Sequence, residues 1–330
     1  MTNILVATNH LKDLGGSETF TYSLIDELKN RPNFNVEYFT FYKGLTSEKI
    51  ESELDVKFMS KKRYDLILAN HNTCVDHLYK NGFIIQTCHG VYPKLEQPSD
   101  KANAYVAISL EVQNHLALKG YNSVVIYNGI NLKKFNCHNE LNEKLTTVLS
   151  LCQSAKANEF IKKACDEMII EFIIADKNNN PTWNISKLIN KSDLVIGLGR
   201  SAYEGMACGR PVIIYDNRDY LDDFGDGYVK NILGLSLQNN CSGRYFKKNF
   251  SLAQFIEELG KYQKKDGLFF RSFAEKELDI EKNTNKYLQY WATIKKIDKK
   301  RKLSKMERIV GKKVLTVLIK IYRQIKKNVN

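Results

Sequence analysis

Short apolar runs alternate with helix-like patterns along most of the chain, and this alternation limits the possible folds more than any other feature. Apolar runs of this kind are typical of parallel strands covered on both faces. In the first half they are Ile4–Ala7, Val36–Phe39, Leu66–Leu68, Phe83–Gln86, Tyr105–Ile108 and Val124–Ile126. In the second half they are Thr147–Leu151, Ile170–Ile174, Leu194–Ile196 and Val212–Tyr215. The pattern predicts an α/β fold with two doubly wound, Rossmann-like domains.

Helical segments fill the spaces between the apolar runs. The best example is Ser17 to Lys29, where the apolar residues Phe20, Leu24, Ile25 and Leu28 make one stripe. The polar stretch 136–143 indicates a linker. We therefore predict an N-terminal domain over residues 1–135, a C-terminal domain over 136–280 and a tail over 281–330. Since ligands of such sheets bind at the carboxyl ends of the strands, the two domains are expected to face each other across a cleft.

The basic charge of the chain is concentrated in its tail. Residues 295–330 contain 14 Lys or Arg against Asp298 and Glu307, so they carry nearly all of the formal net charge of +13. Apolar residues recur at helical spacing among these charges, which predicts a basic amphipathic helix that binds an anionic membrane surface through residues 305–327. The alternative is that the apolar stripe packs on the protein body. Nucleic-acid binding is disfavoured because the body is near neutral and Tyr322 is the only aromatic residue among residues 295–330.

Cysteine usage and the N-terminus indicate a cellular location. The seven cysteines are scattered and include no C-x-x-C pair, which predicts neither a disulfide framework nor a zinc site. The chain enters a strand-like run directly, without the basic and apolar regions of a signal peptide, and has no apolar stretch long enough for a membrane span. We expect a cytoplasmic protein, peripheral on the inner face of the cell membrane, with no bound metal.

Two glycine-containing turns lead from predicted strands into predicted helices. The first, HLKDLGGSE, places Gly15 and Gly16 at a helix start, where backbone N–H groups can approach an anion. An ordinary strand-to-helix turn is the alternative. The second, GLGRSAYEGMACGRP at residues 197–211, adds the guanidinium of Arg200, whose donors suit a phosphate, after Gly199.

The second turn contains a carboxylate with two possible roles. Ser201 is a plausible N-cap, and Glu204 stands at the capping-box spacing from it, so its side chain could bond the backbone N–H of Ser201. Alternatively, the Glu204 carboxylate projects into the cleft and accepts hydrogen bonds from the two hydroxyls of a ribose. Spacing alone favours the capping box.

Several segments in order resemble one enzyme family. SDLVIGLGRSAYEGMACGRPVI resembles the nucleotide-binding segment of GT-B glycosyltransferases, in the large retaining family (glycosyltransferase family 4-like) of bacterial polysaccharide and lipid-linked sugar transferases. LGGSETFTYSLIDEL is similar to the first glycine loop and helix of that family, and IIQTCHG to its strand that ends in a histidine. YVAISLEVQNHL and VVIYNGINLKKF are similar to its serine-containing segment and its approach to the interdomain linker. The resemblance covers most of residues 1–290.

The resemblance implies roles for individual positions. Gly15 and Gly16 would face the donor diphosphate, His89 the donor sugar near the reaction centre, and Glu204 the ribose, which favours the ligand role of Glu204 over the cap. Arg200 and Ser201 would lie near the phosphates together with Gly199. A structural role is the alternative for His89, and it is favoured for His71, a weaker acceptor-side candidate.

Two positions depart from the family pattern. Ile196 stands where the family has a first glutamate that contacts the donor sugar, which leaves the sugar specificity open. Gln153 stands where an arginine is expected, although Lys156 follows at a position suited to a diphosphate clamp; a solvated lysine at a helix start is the alternative.

The implied activity is metal-independent, retaining transfer of a sugar from a UDP- or GDP-sugar to a lipid-linked or cell-surface glycan acceptor, in polysaccharide or lipopolysaccharide biosynthesis. The donor is a co-substrate, and no further cofactor is expected. One alternative is a GT-B-like nucleotide-sugar epimerase. A less favoured alternative is a nucleic-acid-binding protein that uses the tail.

Overall fold

A computed structural model of the chain describes residues 1–175, 182–218 and 221–296. Its strands are β1 (Thr2–Ala7), β2 (Phe34–Phe39), β3 (Tyr64–Ala69), β4 (Gly82–Cys88), β5 (Ala104–Ala107), β6 (Ser123–Val125), β7 (Thr147–Ser150), β8 (Glu171–Ile174), β9 (Leu194–Ile196), β10 (Val212–Arg218) and β11 (Leu221–Tyr228). Its helices are α1 (Gly16–Lys29), α2 (Leu45–Leu54), α3 (Asn72–Leu78), α4 (Leu110–Leu118), α5 (Ala155–Glu167), α6 (Ile185–Lys191), α7 (Arg200–Ala207), α8 (Leu233–Gln238), α9 (Leu252–Gly260) and α10 (Asp266–Phe273).

The first sheet has the strand order β2-β1-β3-β4-β5-β6, and all of its pairings are parallel. Its central strands are buried on both faces; in β1 the consecutive residues Ile4 and Leu5, whose side chains point to opposite faces, are both fully buried. This explains why the strands appear in the sequence as apolar runs without polar alternation. Because β1, β3 and β4 are neighbours, the loops that follow them meet at one edge of the sheet.

The second sheet has the order β11-β10-β9-β7-β8. β7, β8, β9 and β10 pair in parallel, whereas β11 pairs with β10 in antiparallel fashion. The sequence analysis predicted the four parallel strands and missed β11. The sequence of β11, LDDFGDGY, has three acidic residues and two glycines and therefore lacks the strand pattern.

The predicted α/β architecture with two sheets is confirmed. The boundary between residues 135 and 136 falls between the last strand of the first sheet and the first strand of the second, and the domain limits stay predictions. Residues 1–285 form one compact unit. We refer to residues 1–135 as the first half and to 136–280 as the second half.

After α10, a further helix spans residues 280–296, close to the predicted helix over 281–297. The start of this helix returns to the first half, where Arg31 donates to the backbone oxygen of Glu281 at 3.1 Å. The predicted amphipathic helix over residues 305–327 lies outside the described residues. Among the described residues, no helix combines the length and the apolar character that a membrane span requires.

Candidate functional site

Three histidines lie at the carboxyl edge of the first sheet, which we call the histidine edge. His10 follows β1, His71 follows β3 and His89 follows β4. The order of these three neighbouring strands brings the histidines together. The rings of His10 and His71 are stacked with their centroids 5.5 Å apart.

His89 is held as a neutral imidazole. Its Nε2 lies 3.2 Å from Oδ1 of Asn70, whose amide nitrogen is used to donate to Thr21, so Nε2 carries the proton. Its Nδ1 faces the Asn128 amide nitrogen at 3.4 Å and therefore accepts. Burial, and to a smaller extent the nearby His71, lowers the pKa of His89 to about 3. The predicted catalytic histidine thus lies at the expected strand end, with both ring nitrogens facing protein amides.

His71 is buried, and its ring nitrogen roles follow from one backbone contact. The backbone N–H of Asn9 donates to Nδ1 at 3.0 Å, so the neutral ring carries its proton on Nε2. Nδ1 also lies 3.1 Å from the Thr8 hydroxyl. Burial, followed by the charge of His10, lowers the pKa of His71 to about 4. These contacts fix the loops after β1 and β3 to each other.

The start of α1 is already occupied by a carboxylate. Gly15 is the N-cap residue, and the Glu18 side chain folds back over it, so a Cβ at position 15 would lie 2.3 Å from Oε2 of Glu18. The Ser17 hydroxyl donates to the same oxygen at 2.8 Å, and Nε2 of His10 lies 3.4 Å from Oε1. Nothing lies near the Cβ position of Gly16. A diphosphate could reach Gly15 and Gly16 only after the Glu18 carboxylate has moved.

Sequence reasoning missed both His10 and Glu18. A signal was present for Glu18, because it is the third residue of α1, a position from which a carboxylate can fold back to the helix start. No such signal pointed to His10, because a histidine that follows a strand does not by itself indicate a site.

The start of α7 differs from the prediction. The helix begins at Arg200, and its N-cap is Gly199, with φ 52° and ψ −118° and no side-chain cap. This backbone conformation favours glycine. The prediction that Ser201 is the N-cap is therefore wrong, and no capping box with Glu204 forms. Ser201 lies inside the first turn, and its N–H donates to the Leu198 carbonyl at 3.2 Å.

The Arg200 guanidinium joins three parts of the protein. Its Nε donates to Oε1 of Glu204, one turn further along α7, at 2.9 Å. Nη1 donates to the backbone oxygen of Gly129 at 3.1 Å, and Nη2 donates to the Ser23 hydroxyl of α1 at 3.2 Å. Arg200 therefore links the start of α7 to the first half. A phosphate would have to share or displace these bonds.

Glu204 is buried in an ionic cluster. Its side chain is 12% exposed and that of Arg200 is 10% exposed. Burial raises the pKa of Glu204, while the charges of Arg200 and Lys134 act in the opposite direction. Burial lowers the pKa of Lys134, whose Nζ lies 4.6 Å from the centre of the Trp183 ring. A ribose hydroxyl could bond Glu204 only beside its existing partner Arg200. Neither Lys134, within the segment VVIYNGINLKKF, nor Trp183 was predicted as a site residue.

Lys156 lies near the glycine turn of α7. It is exposed in the first turn of α5, a helix capped by the Ser154 side chain. β7 and β9, which lead to α5 and α7, are adjacent strands, with Ser150 paired with Ile196. The Cβ position of Gly197 is 3.4 Å from Cβ of Leu151. The second sheet thus places Lys156 and the residue 197–199 turn at one carboxyl edge.

A cavity of about 510 Å³ lies between the two halves. It is lined by Val91, Tyr92, Leu110, Glu111, Asn114, His115 and Leu118 of the first half and by Gln238 and Asn239 of the second. Beside it, Arg244 of the second half bonds the Glu111 carboxylate through Nε at 3.0 Å. Sequence reasoning did not identify this cavity, because its residues come from three separate segments without a shared motif.

Metal-ligand side chains are dispersed. Over residues 1–175, 182–218 and 221–296, no group of three or more His, Cys, Asp or Glu side chains is arranged to hold a metal ion. All seven cysteines are free, and Cys137 is the exposed one among them.

No protein-family model matches the chain, and no curated protein matches its sequence. Solved structures do resemble it. The Neisseria meningitidis UDP-GlcNAc 2-epimerase bound to UDP-GlcNAc superposes with a TM-score of 0.55 at 10% identity, covering 88% of this chain and 100% of that chain. The S. aureus MnaA–UDP co-structure gives a TM-score of 0.51 at 10% identity, covering 89% and 98%.

A transferase is among the similar structures as well. A mutant of the Thermobaculum terrenum O-GlcNAc transferase superposes with a TM-score of 0.50 at 8% identity, covering 89% of this chain and 67% of that chain. At these identities the similarity concerns the fold alone. It shows that the chain has the two-domain, Rossmann-like α/β fold of GT-B proteins, as the sequence predicted.

Proposed function

We propose that this protein is a glycosyltransferase that moves a sugar from a UDP- or GDP-sugar to a glycan or lipid-linked acceptor. The observation that carries the proposal is the Arg200 guanidinium, which joins the glycine-led start of α7 to Ser23 of α1 and to Gly129. These bonds join the start of α7, at the carboxyl edge of the second sheet, to the loop that follows β6 of the first sheet and to the middle of α1. In this class of sheet the carboxyl edge binds the ligand. The UDP-GlcNAc named for the Neisseria structure and the UDP named for the S. aureus structure support a nucleotide-sugar donor.

The second half would bind the donor. The dipole of α7 would favour the diphosphate at the helix N-terminus. The backbone N–H groups of Gly199 and Ser201 could bond it only by leaving the carbonyls of Cys241 and Leu198. Lys156, at the neighbouring strand end, would supply a cation. Glu204 would accept hydrogen bonds from the ribose hydroxyls while Arg200 keeps its second oxygen oriented. Stabilising the charge on the departing diphosphate is the main catalytic contribution that such a site makes, and it needs no metal ion.

The first half would position the reacting sugar. His89 already bonds Asn70 through Nε2 and Asn128 through Nδ1, so a sugar hydroxyl would have to replace one of these amides. The neutral ring would then orient that hydroxyl rather than transfer a proton as an imidazolium. Gly15 and Gly16 would approach the diphosphate from the opposite side once Glu18 has turned away. Transfer with retention, as the resemblance implies, requires the acceptor hydroxyl on the face from which the diphosphate leaves.

A nucleotide-sugar epimerase is the second candidate. It is favoured by the Neisseria structure, which is a UDP-GlcNAc 2-epimerase and has the highest TM-score of the three structures above. An epimerase uses the same donor and the same edge of each sheet but acts on the donor sugar alone, without an acceptor.

One experiment separates the two candidates. Purified protein is screened by thermal shift against UDP- and GDP-sugars, and the best donor is then incubated with and without an acceptor mixture, in the presence of a chelator. Acceptor-dependent release of UDP or GDP, followed by chromatography, is the expected result. Conversion of the donor to its epimer in the ¹H NMR spectrum without acceptor would instead establish the epimerase. A strict requirement for divalent metal would contradict the metal-independent mechanism.

The role of Glu204 is tested in the same assay. We expect Glu204→Ala to abolish the thermal shift given by the donor. Glu159→Ala is the matched control, because Glu159 also pairs with a basic residue four positions away but is 70% exposed. An unchanged donor shift in Glu204→Ala would remove Glu204 from the nucleotide site.

The location of the protein is a separate part of the proposal. We expect a cytoplasmic protein that binds the inner face of the membrane through residues 305–327, because a basic amphipathic helix gains free energy from both anionic lipid and apolar burial. Vesicles of phosphatidylglycerol should co-sediment the protein, and a variant with Lys312, Lys313, Lys320 and Arg323 replaced by Gln should stay in solution. Preferential binding of duplex DNA over these vesicles would favour the nucleic-acid alternative.

A further inference from the structure

The cavity between the halves has the chemistry of a site for a neutral, polar ligand. Its volume of about 510 Å³ lies within the range of small-molecule sites, roughly 300–1,000 Å³. We propose that this cavity binds a saccharide unit of the acceptor. The inference rests on the proposed transferase function and specifies that the part of the acceptor held beside the donor is a saccharide.

Charge excludes a diphosphate from the cavity. None of its nine lining residues is Lys or Arg. Its one carboxylate, Glu111, is bonded to Arg244, and the side chains of the pair are 19% and 13% exposed. Burial lowers the pKa of His115, which keeps that imidazole neutral. The lining therefore offers no free charge of either sign, and the cationic groups that suit the donor lie elsewhere, at Lys156 and Arg200.

The lining has the hydrogen-bonding groups that a saccharide needs. Within the described residues, the side-chain amides of Asn114, Gln238 and Asn239 line the cavity and make no hydrogen bond. An amide has both donors and acceptors, as a sugar hydroxyl does, so each can satisfy several hydroxyls at once. Tyr92 is 61% exposed, and the Arg244 guanidinium lies over its ring, 5.7 Å from the ring centre. The other face of the ring can stack against the C–H face of a sugar ring.

The position of the cavity fits an acceptor rather than a donor. Tyr92 belongs to the loop that begins at His89, so one wall continues directly into the histidine edge. On the other side, Asn239 precedes Asn240, whose amide oxygen accepts from the Tyr203 hydroxyl at 2.9 Å. The Asn240 amide nitrogen lies 3.3 Å from the Cβ position of Gly199. A saccharide in the cavity would thus lie between the loop of His89 and the Gly199 turn that is proposed to hold the donor.

The test measures binding and does not depend on turnover. The full chain is labelled with ¹³C on Leu and Val methyl groups, and maltose, lactose and N,N′-diacetylchitobiose are titrated in turn. We expect at least one disaccharide to shift the methyl signals of Val91, Leu110 and Leu118.

Two variants of the cavity test this binding. Tyr92→Ala and Asn114→Ala should each weaken the affinity for the disaccharide by about tenfold, the loss that corresponds to one good contact. Tyr79→Ala, which removes another exposed tyrosine of the first half, is the matched control and should leave the affinity unchanged.

Three results would overturn the inference. The first is that none of the disaccharides shifts the three methyl signals. The second is that octanoate, a probe for an acyl chain, shifts them while the disaccharides do not. The third is that Tyr92→Ala and Asn114→Ala bind the disaccharide as well as Tyr79→Ala does. Failure of the proposed function is distinguishable, because it would appear as the absence of any nucleotide-sugar thermal shift while disaccharide binding persists.

Discussion

The histidine edge of the first sheet and the Arg200–Glu204 pair of the second are both buried polar clusters at carboxyl strand ends, but they are built differently. In the histidine edge, burial lowers the pKa of His71 to about 4 and that of His89 to about 3, so both rings stay neutral and are satisfied by amides and backbone. In the Arg200–Glu204 pair, burial raises the pKa of Glu204 and lowers that of Arg200, and the ion pair between the two side chains opposes both shifts. Neutralisation in one region and pairing in the other are two solutions to the same desolvation cost.

The two regions also differ in what they depend on. The partners of His71 and His89, among them Asn9, Asn70 and Asn128, all belong to the first half. Arg200 of the second half instead needs Gly129 and Ser23 of the first. The histidine edge can therefore form within one half. The hydrogen bonds of the Arg200 guanidinium, in contrast, are complete only when the two halves meet.

The largest expected effect comes from breaking the pair. Arg200→Met leaves the Glu204 carboxylate buried without its guanidinium, and removal of one partner of a buried ion pair costs about 3–5 kcal/mol. Urea unfolding at neutral pH should show this loss in the free energy of unfolding. Lys163→Met is the matched control, because Lys163 and Glu159 form the same i, i+4 pair with side chains 62% and 70% exposed. The control should lose less than about 1 kcal/mol.

The double variant Arg200→Met/Glu204→Gln sharpens this comparison. Without a buried charge left behind, it should recover part of the stability that Arg200→Met loses. Equal unfolding free energies for Arg200→Met and Lys163→Met would show that the Glu204 carboxylate is solvated. That result would contradict the description of Arg200–Glu204 as a buried pair.

The sequence predicted the strands of both regions because burial on two faces leaves an apolar run. It located Gly199, Arg200 and Glu204 at a helix start but assigned the cap to Ser201, because spacing does not show that φ is positive at Gly199. The Arg200 contacts with Ser23 and Gly129 join residues far apart in the chain. Such contacts depend on how the two sheets pack, which no local pattern encodes.

The second prediction concerns pH and the histidine edge. The folded-state pKa of His71, about 4, lies below its unfolded value of 6.5, so the fold favours the neutral ring. Its contribution is fully present above pH 6.5 and is lost as the pH falls towards 4. The free energy of unfolding should therefore decrease on acidification through this window, by up to about 1.4 kcal/mol per pH unit for each such histidine.

The variant His71→Asn isolates this dependence. An asparagine oxygen can accept from the Asn9 N–H as Nδ1 of His71 does, but it does not titrate. Urea unfolding between pH 7 and 4.5 should show a shallower decline for His71→Asn than for the parent protein. The comparison is needed because Glu96, whose pKa burial raises to about 7, titrates in the same window with the opposite sign. Parallel pH profiles would mean that His71 is accessible to protons in the folded state.

The third prediction tests the backbone at the start of α7. Gly199→Ala places a side chain at φ 52° and ψ −118°, which costs of the order of 1–3 kcal/mol. The new Cβ would also lie 3.3 Å from the Asn240 amide nitrogen. Gly260→Ala is the control, because nothing lies near its Cβ position and its φ is not positive. Thermal unfolding with equal midpoints for the two variants would show that the turn can relax.

The smallest effect distinguishes the two glycines at the start of α1. Gly15→Ala puts a Cβ 2.3 Å from Oε2 of Glu18, so this carboxylate must swing away from Gly15 and from His10, whereas Gly16→Ala meets no atom within 4 Å. We expect Gly15→Ala to lose about 1 kcal/mol, the value of one hydrogen bond or helix-end charge interaction, and Gly16→Ala to change little. Urea unfolding measures the stability of both variants.

The same pair of variants tests whether Glu18 must leave before a diphosphate can bind. Gly15→Ala moves the Glu18 carboxylate away, so this variant should bind the donor as tightly as the parent protein or more tightly in the thermal-shift assay, although it is less stable. Weaker donor binding in Gly15→Ala than in Gly16→Ala would mean that Glu18 holds the donor rather than competing with it.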